Sequence, residues 1–146
     1  MAHVLFNFTG GDRRLAAALL KAKMWPVARD ERDGESLAPG DLALVYLRTP
    51  DAEFIGRAEL ASAVHDWTTS EAEAYPGDSP SGVLLSDVEV WDPGVPMERV
   101  VARIDPTGSN PLVQANAAAG FQTAVVQITA GEYEAVIDLS RESRRP

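Results

Sequence analysis

The first hydrophobic run, Val4 to Phe8 with Asn7 as its one polar member, has the length of a strand and gives way to Thr9-Gly10-Gly11-Asp12, a set of turn and helix-cap residues. From Arg13 to Lys23 the period becomes helical. Leu15, Leu19 and Leu20 share a face with Ala16 and Ala22, while Arg13, Arg14, Lys21 and Lys23 fall off it. Trp25-Pro26 ends this helix, because a proline pushes the residue before it out of the α region. Arg29 to Glu35 is charged except at Gly34 and predicts a surface loop or short helix. Leu37-Ala38-Pro39-Gly40-Asp41 is a turn, and Leu42 to Leu47 is a continuous apolar run of the kind that forms a buried strand. After the turn Arg48-Thr49-Pro50-Asp51, an alternating segment from Glu53 to Val64 returns as the second strand of a hairpin.

Asp66 to Ser81 loses all periodicity and predicts a long exposed loop holding Trp67 and Tyr75, with room for one helical turn near Glu71. Val83 to Val90 reads as a strand closed by Asp92-Pro93-Gly94, Met97 to Ile104 as a strand or short helix, and Asp105 to Asn110 as a turn. Residues 111–121 predict a small-residue helix capped by Gly120, Thr123 to Ile128 a strand, and Thr129 with Glu132 a capping box opening a last helix to about Leu139. No internal repeat is present. Helices that flank a run of antiparallel strands predict an α+β fold with a strongly bent antiparallel sheet, a partly closed barrel, in one domain over residues 1–140 followed by a basic tail at 141–146.

Charge changes this picture more than composition does. The net charge of −9 is concentrated in residues 51–98, which carry eleven Asp/Glu against one Lys/Arg, whereas residues 1–50 carry six against seven. An acidic middle repels a phosphate backbone, so contacts to nucleic acid fall to Arg13, Arg14, Lys21, Lys23, Arg29 and Arg32 or to the tail arginines. The chain has no cysteine, which removes disulfides, thiolate metal sites and cysteine nucleophiles. The start lacks the basic and apolar regions of a signal peptide, and no stretch has the roughly 20 apolar residues of a membrane span, so the expected location is the cytoplasm.

Reaction chemistry is sparse. His3 and His65 are the two histidines and neither stands at metal-ligand spacing from the other, so no metal or cofactor is expected. There is no Gly-x-Ser-x-Gly elbow and no phosphate-binding Gly-x-x-x-x-Gly-Lys-Ser/Thr loop. His65 beside Asp66 is a loop-capping pair or a proton shuttle, and the carboxylate pairs Glu71/Glu73 and Asp87/Glu89 sit in a segment acidic enough to contain them by chance. No catalytic residue is assigned. Among the aromatic residues, Tyr46 and Trp91 lie within strand patterns and read as core, and Trp67 has the polar neighbours of an exposed contact residue. Trp25, at a helix end before a proline and a charged loop, stays open between core and pocket wall.

Met24-Trp25-Pro26-Val27, then Leu37-Ala38-Pro39-Gly40-Asp41 with the strand to Tyr46, then Phe54-Ile55-Gly56-Arg57-Ala58-Glu59-Leu60 resembles the core signature of EVE domains, which are PUA-like and similar to the YTH readers of methylated RNA. The close, Gly120-Phe121-Gln122 to Ile128 followed by Thr129 to Ile137, is similar to the last strand and helix of that family. The resemblance implies a PUA-like barrel whose aromatic pocket accepts a flipped, methylated base. Such a base recovers about 1–3 kcal/mol by stacking on an aromatic face and is identified by hydrogen bonds to its edge. Trp25 matches the pocket tryptophan, with Pro26 beside it; Asn7 and Thr9 can present polar groups, and Trp67, Tyr75 and Trp91 are candidates for a second wall. Arg13, Arg14, Arg29 and Arg32 are the phosphate candidates. The implied partner is DNA or RNA carrying a modified base, or a modified nucleotide. Two alternatives remain: a protein-interaction domain that docks its acidic, Trp67-bearing loop on a basic partner, and a nucleotide-modifying enzyme.

Overall fold

The computed structural model describes residues 2–8, 13–31, 34–48, 52–104 and 125–143. In chain order the elements are β1 (His3–Phe8), α1 (Arg13–Ala22), β2 (Met24–Pro26), a 3₁₀ turn (Gly34–Ser36), β3 (Leu42–Leu47), β4 (Glu53–Leu60), β5 (His65–Asp66), α2 (Thr69–Ala74), β6 (Ser81–Pro96), α3 (Met97–Ile104), β7 (Val125–Ile128) and α4 (Ala130–Ser143). The strands form a seven-stranded sheet in the order β2-β6-β4-β3-β1-β7, with β5 also paired to β6, and it curls into a half-barrel.

The sheet is mixed, where the strand pattern predicts an antiparallel one. β1 runs parallel to β3, in register Leu5 with Leu44 and Asn7 with Tyr46, while the other pairings are antiparallel. Parallel neighbours need a long connection between them, and α1 is the helical part of that connection. Alternation along β1 then divides the core in two. Val4 and Phe6 face a cluster with Leu19 and Leu20 of α1, Trp25, Val45 and Val83. Leu5 faces a second cluster with Tyr46, Phe54, Trp91, Val100 of α3, and Tyr133 and Val136 of α4. Each fully buried Leu, Val or Phe contributes about 1.5–3 kcal/mol, so both faces hold the sheet to its helices.

Local chemistry explains where the elements stop. Lys23, with φ of 60°, ends α1 in the left-handed region and donates its N–H to the Leu20 carbonyl at 3.0 Å. Gly40, with φ of 94°, turns the chain into β3, and the buried Asp41 carboxylate accepts from the backbone N–H groups of Ala2 at 2.9 Å and Ala38 at 3.0 Å. β4 ends at Leu60, before the expected Val64, because the chain becomes irregular there: Ser62 Oγ accepts from the Leu84 N–H at 2.9 Å, and pairing resumes as β5. β6 is longer than expected. Asp92-Pro93-Gly94 falls within a register shift against β4, between the pairs Gly56 with Val90 and Phe54 with Val95, so it is absorbed as an irregularity in the strand.

Met97 to Ile104 is helical. The Thr129–Glu132 capping box is formed, with Thr129 N–H donating to Glu132 Oε1 at 2.7 Å and Glu132 N–H to Thr129 Oγ1 at 3.1 Å. α4 continues through Arg141 to Ser143. The expected helix at 111–121 and tail residues 144–146 lie outside the described residues. No helix among the described residues is long and apolar enough to cross a membrane.

Candidate functional site

Trp25 sits on β2, the last strand of the sheet, and is 3% exposed. Its ring stacks on Phe6 at 5.7 Å with an 11° interplanar angle and meets Phe8 edge-on at 5.6 Å. Pro26, half-buried, pairs with Gly82 of β6. Gly82 is the hinge point of the site. A methyl group there would lie 2.1 Å from the Trp25 carbonyl and 2.7 Å from the Trp67 ring, so the absent side chain lets the Trp67 indole lie against β6 beside the Trp25 backbone.

Trp67 is half-buried and anchored by its indole N–H, which donates to the Ser79 carbonyl at 3.0 Å. It stands 5.0 Å from the Tyr75 ring, tilted by 39°, and 5.6 Å from His65, edge-on at 86°. Between Trp67 and Tyr75 the segment predicted as a loop forms α2, opened by a capping box: Glu71 Oε1 accepts from the Thr68 N–H at 2.9 Å, and the Glu71 N–H donates to Thr68 Oγ1 at 3.2 Å. Gly82 thus meets the Trp25 backbone, Pro26 and the Trp67 ring, with Tyr75 on the far side of Trp67, while the Trp25 ring itself packs into the core on Phe6 and Phe8.

The remaining candidates are dispersed. Asn7 is buried, but alternation puts it on the face of Leu5 and Tyr46, opposite the face of Phe6 and Trp25. Thr9 and Arg32 lie outside the described residues. Arg13, at the start of α1, pairs with Glu53, donates to the Trp91 carbonyl at 3.1 Å and lies 3.9 Å from Asp92. It is separated from Trp25 by the length of a ten-residue helix, about 15 Å. Arg14 is exposed on the same helix turn. Arg29 is the arginine near the aromatic group: exposed, 3.4 Å from Asp66, it lines a cavity of about 230 Å³ with Gly34, Ala63 and Val64.

Two polar groupings escape a reading of the sequence alone. His65 Nδ1 lies 2.9 Å from the Ala63 carbonyl oxygen and Nε2 lies 2.9 Å from Glu71 Oε1. The Ala63 carbonyl raises the His65 pKa from its ordinary value, with the Glu71 and Asp66 carboxylates adding to it, and the Thr68 N–H and then His65 lower that of Glu71. Thr68 and Glu71 repeat the spacing of Thr129 and Glu132, a signal that fixes the start of the helical turn expected near Glu71, whereas the contact of Glu71 with His65 has no sequence signal. On the opposite face, Glu89 accepts from Arg57 Nε at 2.9 Å and from the buried Trp91 indole N–H at 3.1 Å. No group of three or more His, Asp or Glu able to hold a metal occurs among the described residues.

The sheet is thus a mixed half-barrel with helices packed on both faces, an α+β architecture. No family model and no curated protein matches the sequence. Solved structures do. A hypothetical protein from Leishmania major aligns at a TM-score of 0.68 with 17% identity, over 99% of this chain and 98% of its own. Human THYN1, solved in complex with DNA containing 5-methylcytosine, aligns at 0.63 with 16% identity over 100% of both chains. A mutant of the ASCH protein from Zymomonas mobilis aligns at 0.57 with 14% identity, over 94% of this chain and 96% of its own. At these identities the likeness is one of fold.

Proposed function

We propose that this chain is a binding module for a methylated base in nucleic acid, acting by recognition and not by catalysis. One observation carries the reading: Trp67 and Tyr75, at the two ends of α2, form an aromatic pair whose Trp67 ring lies against Gly82 beside the Trp25 backbone, while Arg29 reaches Asp66 next to Trp67. Aromatic faces reward a base lifted from its stack with about 1–3 kcal/mol each, and apolar contact reads a methyl group. The full-length fold likeness to THYN1, whose structure holds 5-methylcytosine DNA, supports the same ligand class. The segment that carries Trp67 and Tyr75 also carries Asp66, Glu71, Glu73 and Asp78, so the base supplies most of the affinity and Arg29 takes at most a neighbouring phosphate.

Quenching of tryptophan fluorescence by short DNA and RNA strands, with cytosine or 5-methylcytosine at one position and at two salt concentrations, tests this. Preferential binding of the methylated strand with a shallow salt dependence is expected. Trp67→Ala should weaken it about 5- to 150-fold, the equivalent of one lost stacking face. Equal quenching by methylated and unmethylated strands refutes methyl recognition.

A further inference from the structure

His65 has a hydrogen-bonding arrangement that only one of its protonation states can satisfy. Its two ring nitrogens face two oxygens, the Ala63 carbonyl and Glu71 Oε1, each at 2.9 Å. A carbonyl and an ionised carboxylate only accept, and a neutral imidazole carries a single N–H. With both bonds made, the ring is an imidazolium; on losing a proton it must leave one nitrogen lone pair pointing at an oxygen, or turn.

What turns with it is the wall of the site. α2 has no buried residue, so no apolar face holds it against the sheet. Beside the bonds of Trp67 to Ser79 and Pro80 and the packing of Tyr75 on the core, the tie between α2 and β5 is Glu71, whose Oε1 accepts from the Thr68 N–H and lies 2.9 Å from His65 Nε2. Trp67 and Tyr75 flank this helix, and the Trp67 ring meets the His65 ring edge-on at 5.6 Å. We propose that His65 is a proton-operated latch on the aromatic wall: as an imidazolium it ties β5 to α2 and steadies Trp67 against Gly82 with Tyr75 behind it, and on deprotonation that tie is lost and the wall loosens. The control of ligand binding rests on the base-reading function; the latch itself does not.

Around His65 the Ala63 carbonyl and the neighbouring carboxylates favour the charged ring against the opposing effect of burial. From α2 it faces the Glu71 carboxylate; on its own strand Asp66 is the next charge, met by Arg29 from the loop after β2; from the far side of Trp67, Tyr75 is neutral, its pKa raised by burial. The Ala63 carbonyl, Glu71 and Asp66 all hold the proton on His65 beyond its ordinary 6.5.

The test follows the ring nitrogens of His65 and the indole N–H of Trp67 by NMR of the intact chain from about pH 5 to about pH 9. The expected result is a His65 midpoint above 6.5, a Trp67 N–H signal that moves with that same midpoint, and a lower midpoint in Glu71→Gln. A Trp67 signal indifferent to the His65 titration, or an unchanged midpoint in Glu71→Gln, overturns the latch. Fluorescence titration with a 5-methylcytosine DNA strand, one pH unit either side of the midpoint, then reads the control. Binding about fivefold or more weaker on the alkaline side, with no such difference in Trp67→Ala, supports it. Equal binding on both sides with an intact NMR response overturns control of the site by the latch. Absence of binding at either pH overturns the base-reading function, while the NMR result still decides the latch.

Discussion

Truncating Trp25 separates packing from recognition, provided the size of the packing effect is known beforehand. The ring is 3% exposed, stacked on Phe6 and edge-on to Phe8. Removing a buried tryptophan down to alanine costs about 3–5 kcal/mol, which includes the aromatic pairs. A domain of this size has about 5–15 kcal/mol of stability in total, so Trp25→Ala should remain folded but weakened. At roughly 2–4 °C per kcal/mol, its Tm should fall by about 6–20 °C. Urea unfolding followed by far-UV circular dichroism gives the free energy directly, and a loss under about 1 kcal/mol refutes the packing read from the ring contacts. Because this loss confounds any binding assay on the alanine variant, the recognition arm uses Trp25→Phe, which keeps a ring against Phe6 and should unfold at a higher temperature than Trp25→Ala. Weaker binding of a methylated strand by folded Trp25→Phe supports a wall; unchanged binding leaves Trp25 as core alone.

Gly82→Ala puts a methyl group 2.1 Å from the Trp25 carbonyl and 2.7 Å from the Trp67 ring, so it should destabilise by about 1–3 kcal/mol and shift the Trp67 emission; unfolding curves and fluorescence check both. Glu89→Ala strips the acceptor from the buried Trp91 indole and should cost about 1–3 kcal/mol, whereas Glu89→Gln keeps an acceptor and should cost less in the same denaturant titration. The His65–Glu71 pair makes stability depend on pH with a definite sign. The His65 contribution is whole below 6.5 and is lost as pH rises through the raised folded value; that of Glu71 is whole above 4.5 and is lost as pH falls through its lowered one. The Tm difference between the native chain and His65→Gln should therefore be largest between those limits, and a difference that grows on the alkaline side contradicts the assignment.

Periodicity exposes what it physically encodes, the burial of one element at a time. The helical face of Leu15, Leu19 and Leu20, the apolar run Leu42 to Leu47 and the Thr129–Glu132 cap each express a local constraint, and each is found as expected. Pairing partners are not local. Nothing in β1 or β3 alone declares that they run parallel, and Asp92-Pro93-Gly94 reads as a stop although the opposing strand accommodates it by shifting register. The site divides in the same way. Trp67 and Tyr75 stand out as large rings in a polar segment, but the seat of Trp67 beside the Trp25 backbone is set by Gly82, a residue with no side chain to notice. Asn7 illustrates the converse: adjacent in sequence to Phe6, it is carried by strand alternation to the other face.

β2 has three residues and ends the sheet, hydrogen-bonded along one side to β6. Opening free energy is unevenly distributed in a folded chain, and a short terminal strand lies at the cheap end of that distribution. A buried ring is thus mounted on a short end strand, while Phe6 beneath it belongs to β1 between β3 and β7, and Phe8 pairs with β3. Amide exchange should then be fast at Trp25 and slow at Phe6. The gap between the two rates measures how much of the Trp25 face can be presented without disturbing the sheet beneath.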